Sequence, residues 1–153
     1  MIYSTSRNKG YTIIELTIVV VIISLLLSLS LNGLYNLIQW SKLNRAAAIL
    51  SSELKLAQSK AFYGGVYYKL QFWPTLDRYR IYRQTVLYKE IQLEDIDLFN
   101  TNFTDNNVYF YPNGVPSMGG TVTLKNKREK VLYVIMTPVT ARVRVSPDPP
   151  ENW

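Results

Sequence analysis

The stretch Lys9-Gly10-Tyr11-Thr12-Ile13-Ile14-Glu15-Leu16 runs into Thr17-Ile18-Val19-Val20-Val21-Ile22-Ile23-Ser24-Leu25-Leu26-Leu27-Ser28-Leu29-Ser30-Leu31, and the rest of the chain is organised around it. No charged residue occurs from Leu16 to Ser41. About 20 apolar residues suffice to carry a helix across a bilayer, so this segment is long enough to span. Its serines and threonines are tolerable in lipid because their hydroxyls can bond back to carbonyls one turn earlier. Arg7 and Lys9 precede Tyr11 and no acidic residue does. By the positive-inside tendency, the N-terminus stays in the cytoplasm and the remainder lies outside.

Two simpler readings compete. A secretory signal peptide also opens with a basic region and an apolar run, but its core is shorter, roughly 7 to 15 residues, and ends at a small-x-small cleavage pattern. Here the run leads instead into Ile38-Gln39-Trp40 and continues as a helical pattern. The other reading is a plain single-span anchor, and against it stands Glu15. A charged carboxylate at the bilayer centre costs about 2.5–3.5 kcal/mol, so an acid placed one turn into an apolar span implies a function and a cationic partner.

Beyond the span, Leu43, Ala47, Leu50, Leu54, Ala57 and Ala61 recur at alternating spacings of four and three, which is one face of an amphipathic helix. Arg45, Glu53, Lys55, Gln58 and Lys60 lie off that face. No Pro interrupts from Tyr11 to Tyr63, and Gly64-Gly65 supplies a stop. The period then becomes two. Val66, Tyr68, Leu70 and Phe72 share one face of a strand, and Arg80–Tyr82 and Glu90–Leu93 are weaker strand candidates. Val108–Phe110, Thr121–Leu124 and Val131–Ile135 follow, separated by turn signals at Pro112-Asn113-Gly114, at Gly119-Gly120 and at the polar hairpin loop Lys127–Lys130. A last strand with strict alternation is expected over Val139–Val145, and Pro147–Pro150 ends it as an extended tail.

The fold class this predicts is α+β: a long N-terminal transmembrane and amphipathic helix packed on a small antiparallel β-sheet domain. The expected divisions are a leader over 1–10, a membrane-spanning and assembly half over 11–40, an amphipathic helix over 41–63, a β-sheet domain over 64–146 and a tail over 147–153.

Composition narrows the chemistry. The 153 residues include no Cys and no His, which removes thiol nucleophiles, imidazole bases, disulfides and the usual zinc ligands. Gly-x-Ser-x-Gly and phosphate-loop signatures are also missing from the sequence, so an enzyme is not expected and no cofactor is implied. The net charge of +6 is a mild excess that permits contact with anionic partners without requiring any. Tyr is the commonest aromatic, with 12 copies, and suits half-exposed sheet and subunit contacts where the ring is buried and the hydroxyl stays wet.

With Gly10, Tyr11, Glu15 and the apolar run at these spacings, the region from Arg7 to about Ile38 resembles the type IV prepilin signal of the pilin and pseudopilin superfamily. In that superfamily a short basic leader ends in Gly, an aromatic residue opens the mature chain, and Glu is its fifth residue. The resemblance implies cleavage between Gly10 and Tyr11 by a prepilin peptidase on the cytoplasmic face, and N-methylation at Tyr11. It also implies that Glu15, with Thr12 beside it, offsets the new α-amine of a neighbouring subunit during assembly. Tyr11 stands where Phe is usual, with an aromatic ring retained.

A looser resemblance covers about Arg45 to Val145. Phe110–Leu124 together with Ala141-Arg142-Val143-Arg144-Val145 looks like the GspH/FimT group of minor pseudopilins, and within it the competence pseudopilins of Gram-positive bacteria. Members often carry Gly before the first arginine of the closing strand, where this chain has Ala141. In FimT-like proteins a terminal arginine pair is implicated in DNA capture. Here Arg142 and Arg144, two apart in a strand, would share a face, with Lys125, Lys127, Arg128 and Lys130 on a nearby hairpin. Such a patch could neutralise several phosphates without reading sequence. The same charges equally suit a solvated sheet face that keeps an edge from aggregating. Glu94, Asp95 and Asp97 form an acidic cluster that could hold Ca²⁺ if carbonyls completed the shell, although it also fits a solvated loop. Trp73 and Trp153 are candidate exposed aromatics.

Together these readings imply a minor pseudopilin assembled into a short pseudopilus for DNA uptake or type II secretion. The alternatives are a minor pilin at the tip of a type IV pilus and a plain anchored extracytoplasmic binding domain. The implied partners are other pilins, the prepilin peptidase, an assembly ATPase, a platform membrane protein, the cytoplasmic membrane and DNA.

Overall fold

The computed structural model describes residues 11–138 and 141–150, and within these the side chains of 29–32 are left aside. The expected leader with Arg7, Lys9 and Gly10, residues Val139 and Thr140 of the expected last strand, and Trp153 lie outside the described residues. The chain divides into two units, one up to Leu37 and one from Ile38 onward.

In the first unit the chain enters helix α1 (Ile13–Gly64) two residues after Tyr11. The long apolar side chains described here, from Ile13 to Leu37, are exposed on every side of the helix. A segment apolar all round has no inward face of its own and is the pattern of a membrane span.

In the second unit the remainder of α1 shows one apolar face. Leu43, Ala47, Leu50, Leu54, Ala57 and Ala61 are all buried, as their spacing predicts. Gly65 takes a positive φ of 61° just past the last helical residue, the left-handed position that ends a helix and that lacks a steric penalty only for glycine. Glu53 departs from expectation. It is 8% exposed and ion-paired with Lys89, because the strand carrying Lys89 covers that flank of the helix.

The sheet region is two four-stranded antiparallel sheets, where the sequence reading expected one. The strands are β1 (Tyr68–Trp73), β2 (Arg78–Arg83), β3 (Val86–Gln92), β4 (Ile96–Thr101), β5 (Asn107–Phe110), β6 (Gly120–Asn126), β7 (Val131–Met136) and β8 (Val143–Ser146). One sheet has the order β3-β2-β1-β5 and the other β4-β6-β7-β8, so the chain switches sheets at β4, β5 and β6. A register shift between Leu98 and Asn100 gives β4 its uneven pattern, with Ile96, Leu98 and Thr101 buried and Phe99 exposed. Such a bulge re-aims the side chains that follow it.

Residues from α1, both sheets and the loop residue Phe103 join in one buried cluster. Phe72 of β1 stacks on Phe103 at 5.6 Å between ring centroids. Gly120 opens β6 against the face of that same Phe103 ring, leaving no room for a Cβ.

The closing strand is shorter than expected. Pairing with β7 runs only from Met136↔Val143 to Tyr133↔Ser146. Ala141 has φ 50°, a left-handed conformation that breaks strand geometry, and Thr137 N–H donates to Arg142 C=O at 3.0 Å. Strict alternation also fails, since Arg144 and Val145 are both exposed.

Candidate processing and assembly site

The start of α1 is built by a reciprocal pair of hydrogen bonds. Glu15 N–H donates to Thr12 Oγ1 at 3.2 Å, and Thr12 N–H donates to Glu15 Oε2 at 3.2 Å. This is a capping box, in which a Thr at the cap and a Glu three residues later satisfy two of the donors that a helix N-terminus leaves open. The Thr12 hydroxyl lies a further 3.4 Å from the same Oε2. The carboxylate also sits at the positive end of the helix dipole, which favours its charge. The Thr-x-x-Glu spacing is a sequence signal for such a helix start that the reading of Gly10, Tyr11 and Glu15 passed over, and it gives Thr12 a structural role that its adjacency to Glu15 alone does not suggest. Tyr11, which precedes the box, is 89% exposed.

Polar groups farther along the span close on the helix itself. Thr17 Oγ1 donates to Ile13 C=O at 2.9 Å and Ser24 Oγ to Val20 C=O at 2.8 Å, as expected for hydroxyls in an apolar run.

The six basic residues expected to form one patch are divided by the fold. Lys125 pairs with Glu129 at 2.8 Å and lies over the Phe99 ring, while Lys127 pairs with Asp95. Arg128 and Lys130 are exposed in the β6–β7 turn. Arg144 sits opposite Ile135, five residues into β7 from Lys130, and Arg142 lies beyond it. At about 3.3 Å per residue the two groups are on the order of 15 Å apart along the strand. The hairpin runs away from the arginines because β8 pairs antiparallel with β7. Its C-terminal end, not Arg142, comes near the turn.

The acidic cluster is likewise dispersed. Asp95 accepts from Lys42 at 2.6 Å and from Lys127, and these ammonium groups hold its carboxyl down to about 2. Asp97 turns instead to Asp77, and its pKa is raised by burial and by that second carboxyl. Glu94 is exposed. No group of three or more metal-ligating carboxylates converges among the described residues. Trp73 ends β1 with the guanidinium groups of Arg78 and Arg80 over its ring.

Residues 5–31 match the family described as the prokaryotic N-terminal methylation motif. No curated protein sequence matches the chain. Among solved structures, the minor pseudopilin EpsH from the type 2 secretion system of Vibrio cholerae is similar, with 11% identity and a TM-score of 0.59. That likeness covers 69% of this chain and 96% of EpsH. The type IV minor pilin FimU of Pseudomonas aeruginosa PAO1 is similar at 13% identity and a TM-score of 0.58, over 71% of this chain and 90% of FimU. A second crystal form of FimU gives 14% identity and a TM-score of 0.56, over 68% and 92%. The fold is type IV pilin-like, and the N-terminal motif joined to an apolar helix marks a membrane-anchored protein of that kind.

Proposed function

We propose that this chain is a minor subunit of a pseudopilus or type IV pilus, acting by assembly and not by catalysis. The observation that carries the proposal is the coincidence of two independent features: a methylation motif over 5–31 and a pilin-like fold attached directly to it. In this reading a prepilin peptidase cuts between Gly10 and Tyr11 on the cytoplasmic face, and Tyr11 is N-methylated. Cleavage creates an α-amine one residue before the capping box. Both bonds from Thr12 fall on Oε2 of Glu15, so the second carboxylate oxygen is placed to offset the α-amine of a neighbouring subunit. An assembly ATPase and a platform membrane protein then move the helix from lipid into the filament, with the β-sheet domain outside the cell membrane.

Type II secretion, DNA uptake and a pilus tip share this processing signal, so the owning system is read from what the β-sheet domain binds. For DNA uptake the contact falls to Arg142 and Arg144, exposed together near the connection into β8. Retention of duplex DNA that Arg142→Ala/Arg144→Ala abolishes and that falls steeply with salt would favour uptake. Retention unchanged in that double variant removes the arginines from the reading.

Intact-mass analysis of the protein purified from membranes, with and without a prepilin peptidase, tests the proposal as a whole. Peptidase-dependent loss of residues 1–10 with addition of one methyl group is expected, and substitution of Gly10 should prevent both. A full-length mass under both conditions overturns it.

A further inference from the structure

On the first sheet the inward side chains of β1, β2 and β5 are buried, and the outward ones between them are half-buried by one another. The antiparallel register sets Tyr109, Lys69 and Tyr82 side by side in one outward row, and Asn107, Gln71 and Arg80 in the next. Tyr67, just before β1, closes the end of the first row. Its carbonyl accepts from Gln84 N–H at 3.0 Å, and its ring lies 6.4 Å from that of Tyr109 at a tilt of 53°. Gln84 and Thr85 form the turn from β2 to β3, where Gln84 takes φ 55°. Tyr67, Lys69, Tyr82, Gln84, Thr85 and Tyr109 together line a hollow of about 260 Å³. Pockets for drug-sized ligands run to roughly 300–1,000 Å³, so this one has room for a single ring with a short substituent.

Lys69 supplies the charge of the lining. Its ammonium lies 4.4 Å from the centroid of the Tyr82 ring, and it has no carboxylate partner among the described residues. The one acid among the outward positions of β1, β2, β3 and β5 is Glu90, which stands opposite Arg80 in the next row and is engaged by both Arg78 and Arg80. Arg80 also lies beside the Tyr82 hydroxyl, but it is outside the lining and already paired. A half-buried ammonium among rings, hydroxyls and an amide is a ready partner for a carboxylate, which it would hold by a charge-assisted hydrogen bond.

The rest of the lining selects what carries that carboxylate. Tyrosine rings offer a negative face to C–H groups, and the hydroxyls of Tyr67, Tyr109 and Thr85 with the Gln84 amide offer donors and acceptors. Rings tilted by 53° do not sandwich a flat nucleobase, which stacks between parallel faces. The puckered ring of a sugar suits them, with C–H groups toward one tyrosine and hydroxyls toward the other. We infer that the hollow binds one carboxylate-bearing sugar residue of an acidic glycan. Such a site goes beyond the proposed assembly role and gives the folded unit a ligand of its own.

The test is an NMR titration of the ¹⁵N-labelled full-length protein in a sugar-free detergent, with methyl β-glucuronide and methyl β-glucoside, which differ at the carboxylate. The amide signals of Lys69, Tyr82, Gln84 and Tyr109 should move with both sugars, and the glucuronide should bind about tenfold more tightly, as one charge-assisted hydrogen bond implies. Lys69→Gln should bring the glucuronide to the level of the glucoside. Gln84→Gly suits the left-handed backbone and should weaken both sugars with no fall in melting temperature. Equal affinity for the two sugars, or no shift with either, overturns the inference. Equal shifts from acetate alone would reduce the hollow to an anion site, and tighter binding of thymidine monophosphate would make it a nucleotide site; either result also overturns it. Because the sugar pair is compared on the unaltered protein, a misfolded variant does not weaken the test, and the outcome is independent of processing and filament assembly.

Discussion

Leu25 and Leu54 lie on the same helix, yet Leu25 is 62% exposed and Leu54 is 1% exposed. Around Leu25 the apolar residues occupy every side of α1. Around Leu54 they keep to one face, which the two sheets cover. The two carboxylates of the helix divide in the same way, with Glu15 held by its own cap and Glu53 by Lys89 across the core edge. One half of α1 has its partners within the chain, whereas the other must find them in lipid or in further helices. Stability of the folded unit is therefore encoded in one stretch of the element, and the proposed role in assembly falls to the other.

The largest expected difference is at the leucines. Leu54→Ala should lower the unfolding free energy of the folded unit by about 2–5 kcal/mol, since it removes fully buried methyl groups. Ile22→Ala should leave the melting transition of the full chain in detergent where it was. A matching loss from Ile22→Ala would break the comparison. Next come the acids: Glu53→Ala should cost about 1–3 kcal/mol for a lost charge-assisted bond, with Lys89 free to turn to water. Glu15→Ala should leave both that transition and leader cleavage unchanged while reducing incorporation into filaments. Normal incorporation would remove the assembly role given to Glu15.

A smaller effect of opposite sign is expected at Ala141, whose left-handed backbone costs roughly 1 kcal/mol or more for a residue with a Cβ. Ala141→Gly should raise the melting temperature, and no gain would mean that the conformation carries little strain. The last effect is confined to acid. Asp95 titrates at about 2 in the folded unit against 3.8 for the free side chain. A carboxyl with a depressed folded pKa adds stability that is complete above about pH 4 and disappears as pH falls towards 2. Asp97, raised by burial and by Asp77, acts with the opposite sign, and its contribution is lost as pH rises through its folded pKa. Melting followed from pH 5 to pH 2 should show an acid loss that is smaller in Asp95→Asn than in the native chain, the remainder including Glu90, whose carboxyl Arg80 also holds down.

Much of α1 was legible beforehand. The four-three spacing from Leu43 to Ala61 marks a buried face, the uncharged run marks a span, and both follow from local periodicity. The alternation in β1 was readable for the same reason, because Tyr68, Leu70 and Phe72 all point into the core. β4 escaped because its bulge breaks period two, and because Asp97 made an acidic loop the easier reading. Most of β3 escaped because it is a sheet edge whose apolar residues Val86, Leu87 and Tyr88 remain exposed. The division into two sheets depends on long-range pairing that no local pattern records. At the candidate site, Gly10, Tyr11 and Glu15 are proposed from their spacing, whereas the separation of the arginines from the hairpin depends on strand direction. The roles of Glu53 and Asn126 depend on what the fold lays against them.

Asn126 meets Gln39 across 87 positions of sequence, and the buried cluster that includes the helix face also takes in residues of β6, β7 and β8. The order of synthesis then sets the order of folding. When residues 43–61 first emerge, the strands that will cover them have not been made, and the contact with Gln39 waits for residue 126. Until those strands are made, an apolar helix face stands open to the surroundings. Completion is therefore a late event: synthesis of nearly the whole chain comes before the closing of its core, and a truncation ahead of β6 would leave the fold unfinished.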